Sequence, residues 1–214
     1  MTMKTYATIL GALLLCGAAA QATLSSGTFS SSGGPVAIPD GNPVGIYSTI
    51  NVSGMRPVFE GLSVYLNVGG NGYNGDLVCY LTHGGVTVTL VNRIGQTSEN
   101  PFGSDASGFQ YTLADSYGTA VHDATGTTGY YRPDGSAFNT SFGGNPNGDW
   151  TLTFADMAGG TPDNLSSLVG WSLSITAVPE PANVAMGIFA GIVGMTFVIR
   201  RRDSLRKLVA RLNA

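Results

Sequence analysis

Hydrophobic residues recur at every second position in seven runs of the chain. Ile46, Ile50 and Val52 share a parity with Ser48, and Leu62, Val64, Leu66 and Val68 follow in the same manner. The others are Leu77, Cys79 and Leu81; Val86, Val88 and Leu90; Phe109, Tyr111 and Leu113; Trp150, Leu152 and Phe154; and Trp171, Leu173 and Ile175. A period of two belongs to strands with one face in a core and the other in water. Residues that accept turn geometry separate the runs: Gly54 to Gly61, Gly69-Gly70-Asn71-Gly72, Thr82-His83-Gly84-Gly85, a long loop over Gly118 to Gly129, and Asp156 to Gly170 with its Gly159, Gly160, Pro162, Asp163 and Asn164. The Thr82 to Gly85 segment is short enough to close a hairpin. No helical period occurs before residue 182. The pattern predicts an all-β domain, a β-sandwich or jelly roll, with Trp150 and Trp171 on its inner faces.

Several of these stretches also resemble a known family. Asn147-Gly148-Asp149-Trp150 through Asp156, followed by Leu168-Val169-Gly170-Trp171 through Ile175, is similar to the end of the P domain (P/Homo B domain) of proprotein convertases and bacterial subtilisin-like proteases. Gly75-Asp76-Leu77, Gly129-Tyr130-Tyr131-Arg132-Pro133 and Phe142-Gly143-Gly144 stand in the family's order. The resemblance covers about residues 36–177 and implies an accessory domain of a serine endopeptidase. Two departures bear on loops: Gly69-Gly70-Asn71-Gly72 stands where the family carries a His-Thr pair, and the loop after Leu81 is shortened. Loops carry binding specificity, so contacts to a protease partner are what these changes affect.

Both ends read as sorting segments. Residues 1–22 have the form of a signal peptide, with Lys4, an apolar run from Ile9 to Leu15 and an Ala20-Gln21-Ala22 cleavage site. Leu15 is too large for the position before a lipidated Cys16. Residues 23–35 read as a flexible Ser- and Gly-rich lead-in. Val178-Pro179-Glu180-Pro181 is followed by eighteen uncharged residues, Ala182 to Ile199, and then by Arg200, Arg201 and Arg202. A helix of that length spans roughly 27 Å, enough for a hydrocarbon core, and the arginines belong on the cytoplasmic side with a tail over 203–214. This arrangement resembles the PEP-CTERM sorting signal of Gram-negative bacteria, which implies recognition of residues 178–181 by an exosortase. A plain single-span anchor is the alternative, and Gly187 and Gly191 form a GxxxG face that could pair helices.

Composition narrows the function. Of 214 residues only 11% are charged while 31 are glycine. Between Thr23 and Ala177 eleven carboxylates face three arginines, a net charge of −8. That excess disfavours nucleic acid and anionic lipid surfaces. Catalysis lacks its parts: His83 and His122 are the two histidines, neither accompanied by a nucleophile elbow, and no HExxH, cysteine-rich metal cluster or P-loop occurs. Cys79, in phase with Leu77 and Leu81, reads as a buried small hydrophobe.

Asp76, Asp115 and Asp156 at loop and strand junctions are candidate Ca²⁺ ligands, or caps for their own turns. Tyr73, Tyr117, Tyr130 and Tyr131 are candidates for stacking on sugars, or for core and rim packing. The expectation is an exported, non-catalytic cell-surface module, binding or structural, in an exopolysaccharide-rich envelope. The alternative is an accessory domain docking on a separate subtilisin-like protease.

Overall fold

The computed structural model describes residues 24–160 and 165–212. The chain divides into two compact units, one of them Leu24–Val178 and the other containing the C-terminal residues from Pro179. In chain order the first unit contains β1 (Ser25–Ser30), β2 (Val36–Ile38), β3 (Ile46–Val52), β4 (Val58–Tyr73), β5 (Leu77–His83), β6 (Val86–Asn92), β7 (Ser107–Ala114), β8 (Thr128–Tyr131), a four-residue helix α1 (Phe138–Ser141), β9 (Gly148–Asp156) and β10 (Ser166–Val178). One sheet has the order β1-β10-β4-β7-β8, with β2 also pairing β10; the second has the order β3-β9-β5-β6. Every pairing is antiparallel except β7 with β8.

The alternating runs land where the pattern places them. Val64, Leu66, Leu113, Leu173 and Ile175 of the first sheet and Leu77, Leu81, Trp150, Leu152 and Phe154 of the second are fully buried and form one core. A β-sandwich results because each sheet hides its apolar face only against the other. Phe109 meets Phe154 across the gap at a ring separation of 6.4 Å. Both indoles satisfy their N–H groups: Trp171 Nε1 donates to Ser48 Oγ of β3 at 2.8 Å, and Trp150 Nε1 to the Pro146 carbonyl at 2.9 Å. The first bond links the sheets through a side chain that would otherwise bury a bare donor.

The structure departs from the pattern in five places. Residues 25–30 are not a flexible arm: they form edge strand β1 along β10, from Ser25 opposite Ala177 to Ser30 opposite Ser172. A Ser-Ser-Gly-Thr-Phe-Ser stretch has no apolar period to announce a strand, and the pairing comes from the exposed edge that β10 offers. Gly69 to Gly72 do not end β4, which continues to Tyr73 through an irregular register that Gly70 makes possible at φ +98°. β10 begins at Ser166, five residues before Trp171, with a register shift between Leu168 and Gly170. The predicted loop is shorter as a result, and its residues 161–164 lie outside the described ones. The end of the predicted 118–129 loop is strand β8, held by a parallel pairing with β7. Residues 138–141 make a helical turn too short to carry a period.

The C-terminal unit contains α2 (Pro181–Leu212), 32 residues long. The helix passes through Arg200, Arg201 and Arg202 without a break. Side chains of residues 181–184 are not among those described. Among the described residues no helix is long and apolar enough to cross a membrane. Residues 1–22, with the expected cleavage-site residues Ala20 and Ala22, lie outside the described ones.

Candidate functional site

The outer face of the sheet that contains β1, β10, β4, β7 and β8 is built from the positions that alternate with the core. Because the register is continuous across β1, β10, β4, β7 and β8, outward residues line up in rows. One row runs Ser30, Ser172, Tyr65, Thr112, Tyr130; the next runs Thr28, Ser174, Ser63, Ala114. None of these residues carries a formal charge at neutral pH. The second row borders a shallow trough of about 500 Å³, lined by small side chains that include Ser26, Thr28, Ser63, Ser174 and Thr176 and closed at one side by Tyr117. Thr28 and Ser174 share a hydroxyl hydrogen bond of 3.1 Å. Small hydroxyls keep the floor flat and leave donors and acceptors facing solvent.

Tyrosines rise from this floor. Tyr130 is 67% exposed and its ring lies 5.4 Å from that of Tyr117. Tyr65 is half-buried and donates its hydroxyl to Gln110 Oε1 of the neighbouring strand β7 at 3.2 Å. Tyr65 and Tyr130 stand in one row with a single strand between them, roughly 10 Å apart at about 4.8 Å per strand. Tyr117 and Tyr130 were legible as candidates in the sequence. Tyr65 was not singled out, although its parity, opposite to Val64 and Leu66, marks it as outward. Tyr73 is 46% exposed. Tyr131 takes the packing alternative: it is half-buried and meets Tyr111 edge-on at 4.9 Å, so its ring belongs to the core's margin. Burial, with Tyr131 beside it, pushes the Tyr111 phenol up to about 12.

The three candidate metal ligands do not converge. Asp156 ends β9 opposite Leu77, beside Asp76, and Asp40 also acts on both. Asp115 follows the other end of β7: Ala114 pairs with Ser63 while Ser107 pairs with Tyr73, a strand length of roughly 25 Å at about 3.3 Å per residue. Its two carboxylate oxygens accept the backbone N–H groups of Phe138 and Asn139 at 2.7 and 2.8 Å, which caps α1. Among the described residues no group of three or more histidine, cysteine or acidic side chains is placed to hold a metal ion.

Asp76 and Asp156 have their carboxyls held above the ordinary aspartate range, first by burial; for Asp76 the next cause is the Asp156 charge. Arg93 offsets part of this, with Nη2 at 3.7 Å from Asp76 and Nε donating to the Gly75 carbonyl at 3.0 Å. Asp156 Oδ1 also accepts the Ala158 N–H at 3.1 Å. Asp156 therefore caps its own turn, while Asp76 faces the Arg93 guanidinium.

Both histidine rings face backbone carbonyls. His83 is the last residue of β5 rather than a loop residue, and its ring nitrogens lie 2.9 Å from the Asp149 carbonyl and 3.0 Å from the Asn145 carbonyl. His122 Nδ1 lies 3.3 Å from the Asn92 carbonyl, and its backbone N–H donates to Asp134. Neither ring addresses a hydroxyl nucleophile in these contacts. Cys79 is buried, and burial pushes its thiol well up.

No family model matches the sequence, and no curated protein is significantly similar to it. Two of the solved structures that match the chain can be named. They are the serine protease of Aeromonas sobria (16% identity, TM-score 0.44, 73% of this chain and 27% of that one), and the same protease in complex with the chaperone ORF2 (17% identity, TM-score 0.44, 77% and 29%). The chain spans less than a third of the length of either protease chain.

Proposed function

We propose that the β domain is a non-catalytic module that binds a neutral glycan on the outer face of the sheet β1-β10-β4-β7-β8. The observation that carries this reading is the pair Tyr65 and Tyr130, set in one uncharged row at roughly 10 Å. The C–H face of a pyranose is apolar and sits on an aromatic ring. Two sugars of an extended chain advance by about the same length as the tyrosine pair, so alternate sugars meet a ring while the hydroxyls of Thr112, Ser172 and Ser63 face those of the ligand. An uncharged floor costs a neutral ligand little desolvation, whereas it offers an anionic glycan no cation.

The ends of the chain support export and sorting. Residues 1–22 supply a signal peptide, and Val178 to Pro181, the uncharged run Ala182 to Ile199 and Arg200 to Arg202 supply a PEP-CTERM-like signal. In this reading an exosortase of a Gram-negative bacterium processes the membrane-inserted precursor and leaves the β domain at the cell surface. Exposed Met186, Phe189 and Phe197 on α2 are the side chains that lipid would cover. Substituting Glu180→Ala and following the mass and membrane fractionation of the product tests it; unchanged processing sinks the sorting role.

A panel of neutral polysaccharides in affinity electrophoresis tests the glycan site. Tyr65→Ala with Tyr130→Ala weakens retardation at least tenfold on the polysaccharide that binds. Retardation confined to anionic polysaccharides, or unaffected by the pair of substitutions, removes the reading.

A second reading rests on a different end of the domain. The segments before β3, after β9, before β10 and between β6 and β7 carry exposed Val44 (62%), Met157 (45%), Leu165 (42%) and Phe102 (78%). Apolar side chains on loops are suited to docking on another protein, in line with an accessory domain for a separate subtilisin-like protease. Recovery of such a protease with the native protein, lost on Phe102→Asp, would favour it.

A further inference from the structure

We propose that the opposite face of the sandwich is a second surface for the same class of ligand, centred on Tyr47 and Tyr80, so that one module bridges two glycan chains. The proposal rests on the reading that outward tyrosine pairs over uncharged hydroxyl rows take a neutral glycan.

The outward rows of the second sheet repeat the arrangement described for the first. Tyr47 pairs with Thr153, Thr153 with Tyr80, and Tyr80 with Thr89. Tyr47 and Tyr80 therefore stand in one row with a single strand between them, again roughly 10 Å apart. Tyr47 is 65% exposed, and Tyr80 is half-buried beside Thr hydroxyls. The neighbouring row is threonine on all four strands: Thr49, Thr151, Thr82 and Thr87. Thr49 bonds Thr151 at 3.1 Å and Thr82 bonds Thr87 at 2.8 Å through their hydroxyls.

Each such pair uses one donor and one acceptor, so every pair keeps a hydroxyl proton and several lone pairs for a ligand. The two rows have no formal charge; the next outward pair is Asn51 with Asp149, whose carboxylate accepts from Asn51 Nδ2 at 2.7 Å. A carboxylate at one margin and no cation in the rows select a neutral chain over an anionic one.

Geometry sets what two such faces do together. In each sheet the tyrosines are offset across the strands, so each ligand chain lies across the strands too. Packed sheets keep their strand directions within about 30° of each other and stand about 10 Å apart. The two bound chains are then near-parallel and held on opposite sides of one rigid layer. A module of this form cross-links polysaccharide rather than merely attaching to it.

The test uses the full chain with hydroxyethylcellulose, a soluble neutral β-glucan, read both by affinity electrophoresis and by light scattering. The unsubstituted protein is expected to be retarded and to raise scattering as the polymer is bridged. Tyr47→Ala with Tyr80→Ala keeps retardation, weakened severalfold, and abolishes the scattering increase. Tyr65→Ala with Tyr130→Ala does the same from the other face, and all four substitutions abolish both signals. Thr151→Lys, which sets a charge in the threonine row, repeats the effect of the first pair and guards against a folding defect; circular dichroism and the thermal midpoint of each variant are compared.

Bridging that survives Tyr47→Ala with Tyr80→Ala overturns the second surface while leaving the first intact. Bridging absent from the unsubstituted protein although retardation depends on Tyr65 and Tyr130 does so as well. No retardation of the unsubstituted protein removes both surfaces for this ligand. Retardation that depends on Tyr47 and Tyr80 alone removes the first surface, and with it the bridge. A dimer in sedimentation that Tyr47→Ala dissolves would show that a second copy, not a glycan, covers this face.

Discussion

His83 and Trp150 stack with their ring planes 1° from parallel and centroids 4.0 Å apart. The two residues are register partners on β5 and β9. The imidazole thus lids the largest fully buried side chain of the domain, whose other faces meet Phe142 at 4.9 Å and Phe59 at 6.3 Å. The same ring lies between the carbonyls of Asn145 and Asp149, and the tautomer sets which of them accepts its N–H. His83→Ala is expected to cost about 1–2 kcal/mol, from one aromatic pair and one net hydrogen bond. Urea unfolding measures it, and Trp150 emission shifts to the red as water reaches the indole. An unchanged midpoint would mean that the stack contributes nothing to the fold.

The acidic end of the domain gives stability an unusual pH slope. Asp76, Asp156 and Asp134 are all raised, with burial as the first cause. A carboxyl that binds its proton more tightly when folded contributes stability that is complete below the unfolded aspartate value, about 4, and lost as pH rises through the folded value. These three groups therefore favour the fold as pH is lowered from neutral toward about 4. Arg93 works in the other direction on Asp76 and Asp156. Arg93→Gln is expected to lower the urea midpoint more at pH 7 than at pH 4.5; an equal loss at both would show that the guanidinium acts only through its bond to Gly75.

Two pairs of glycines with positive φ should respond oppositely to substitution. Gly45 (φ +66°) and Gly70 (φ +98°) are closed in: a Cβ at Gly45 would press on the Phe154 carbonyl and come within 2.7 Å of the Ala155 Cβ, and one at Gly70 would press on the Leu165 carbonyl. Gly84 (φ +56°) and Gly85 (φ +81°) form the two-residue hairpin between β5 and β6 and meet nothing within 4 Å. Gly45→Ala or Gly70→Ala is expected to cost at least ~2 kcal/mol. Gly84→Asn should stay within about 0.5 kcal/mol, since asparagine accepts that turn position. Thermal midpoints compared across the three variants decide it.

Cys79 should be silent. The raised and buried thiol predicts no reaction with a disulfide reagent in the native protein and full reaction in denaturant. Rapid labelling of the native form would mean that β5 opens at its centre.

Much of the core was legible because burial leaves a periodic mark. Leu62 to Val68, Phe109 to Leu113 and Trp150 to Phe154 all carry that mark, and all are strands with the expected side inward. The outward residues carry no such mark. Tyr47, Tyr65 and Tyr80 read as ordinary polar-face positions until the register shows which of them share a row. Strand β1 was illegible for a related reason: its burial alternates only between exposed and half-buried, since it lies at an edge.

The candidate ligands illustrate the same limit. Asp76 and Asp115 look alike in sequence, each beside a strand end. Chain separation says nothing about which end of the sandwich a loop occupies, and β7 carries Asp115 away from Asp76 by its whole length.

Taken alone, the order of apolar and polar residues determined that the middle of this chain is two-faced and β and that its core holds two tryptophans. Those features are local, because burying every second side chain is a demand each strand makes for itself. Which hydroxyls and rings form one surface was decided only by pairing between distant segments, since alignment across strands depends on hydrogen-bond register and not on neighbours in the chain.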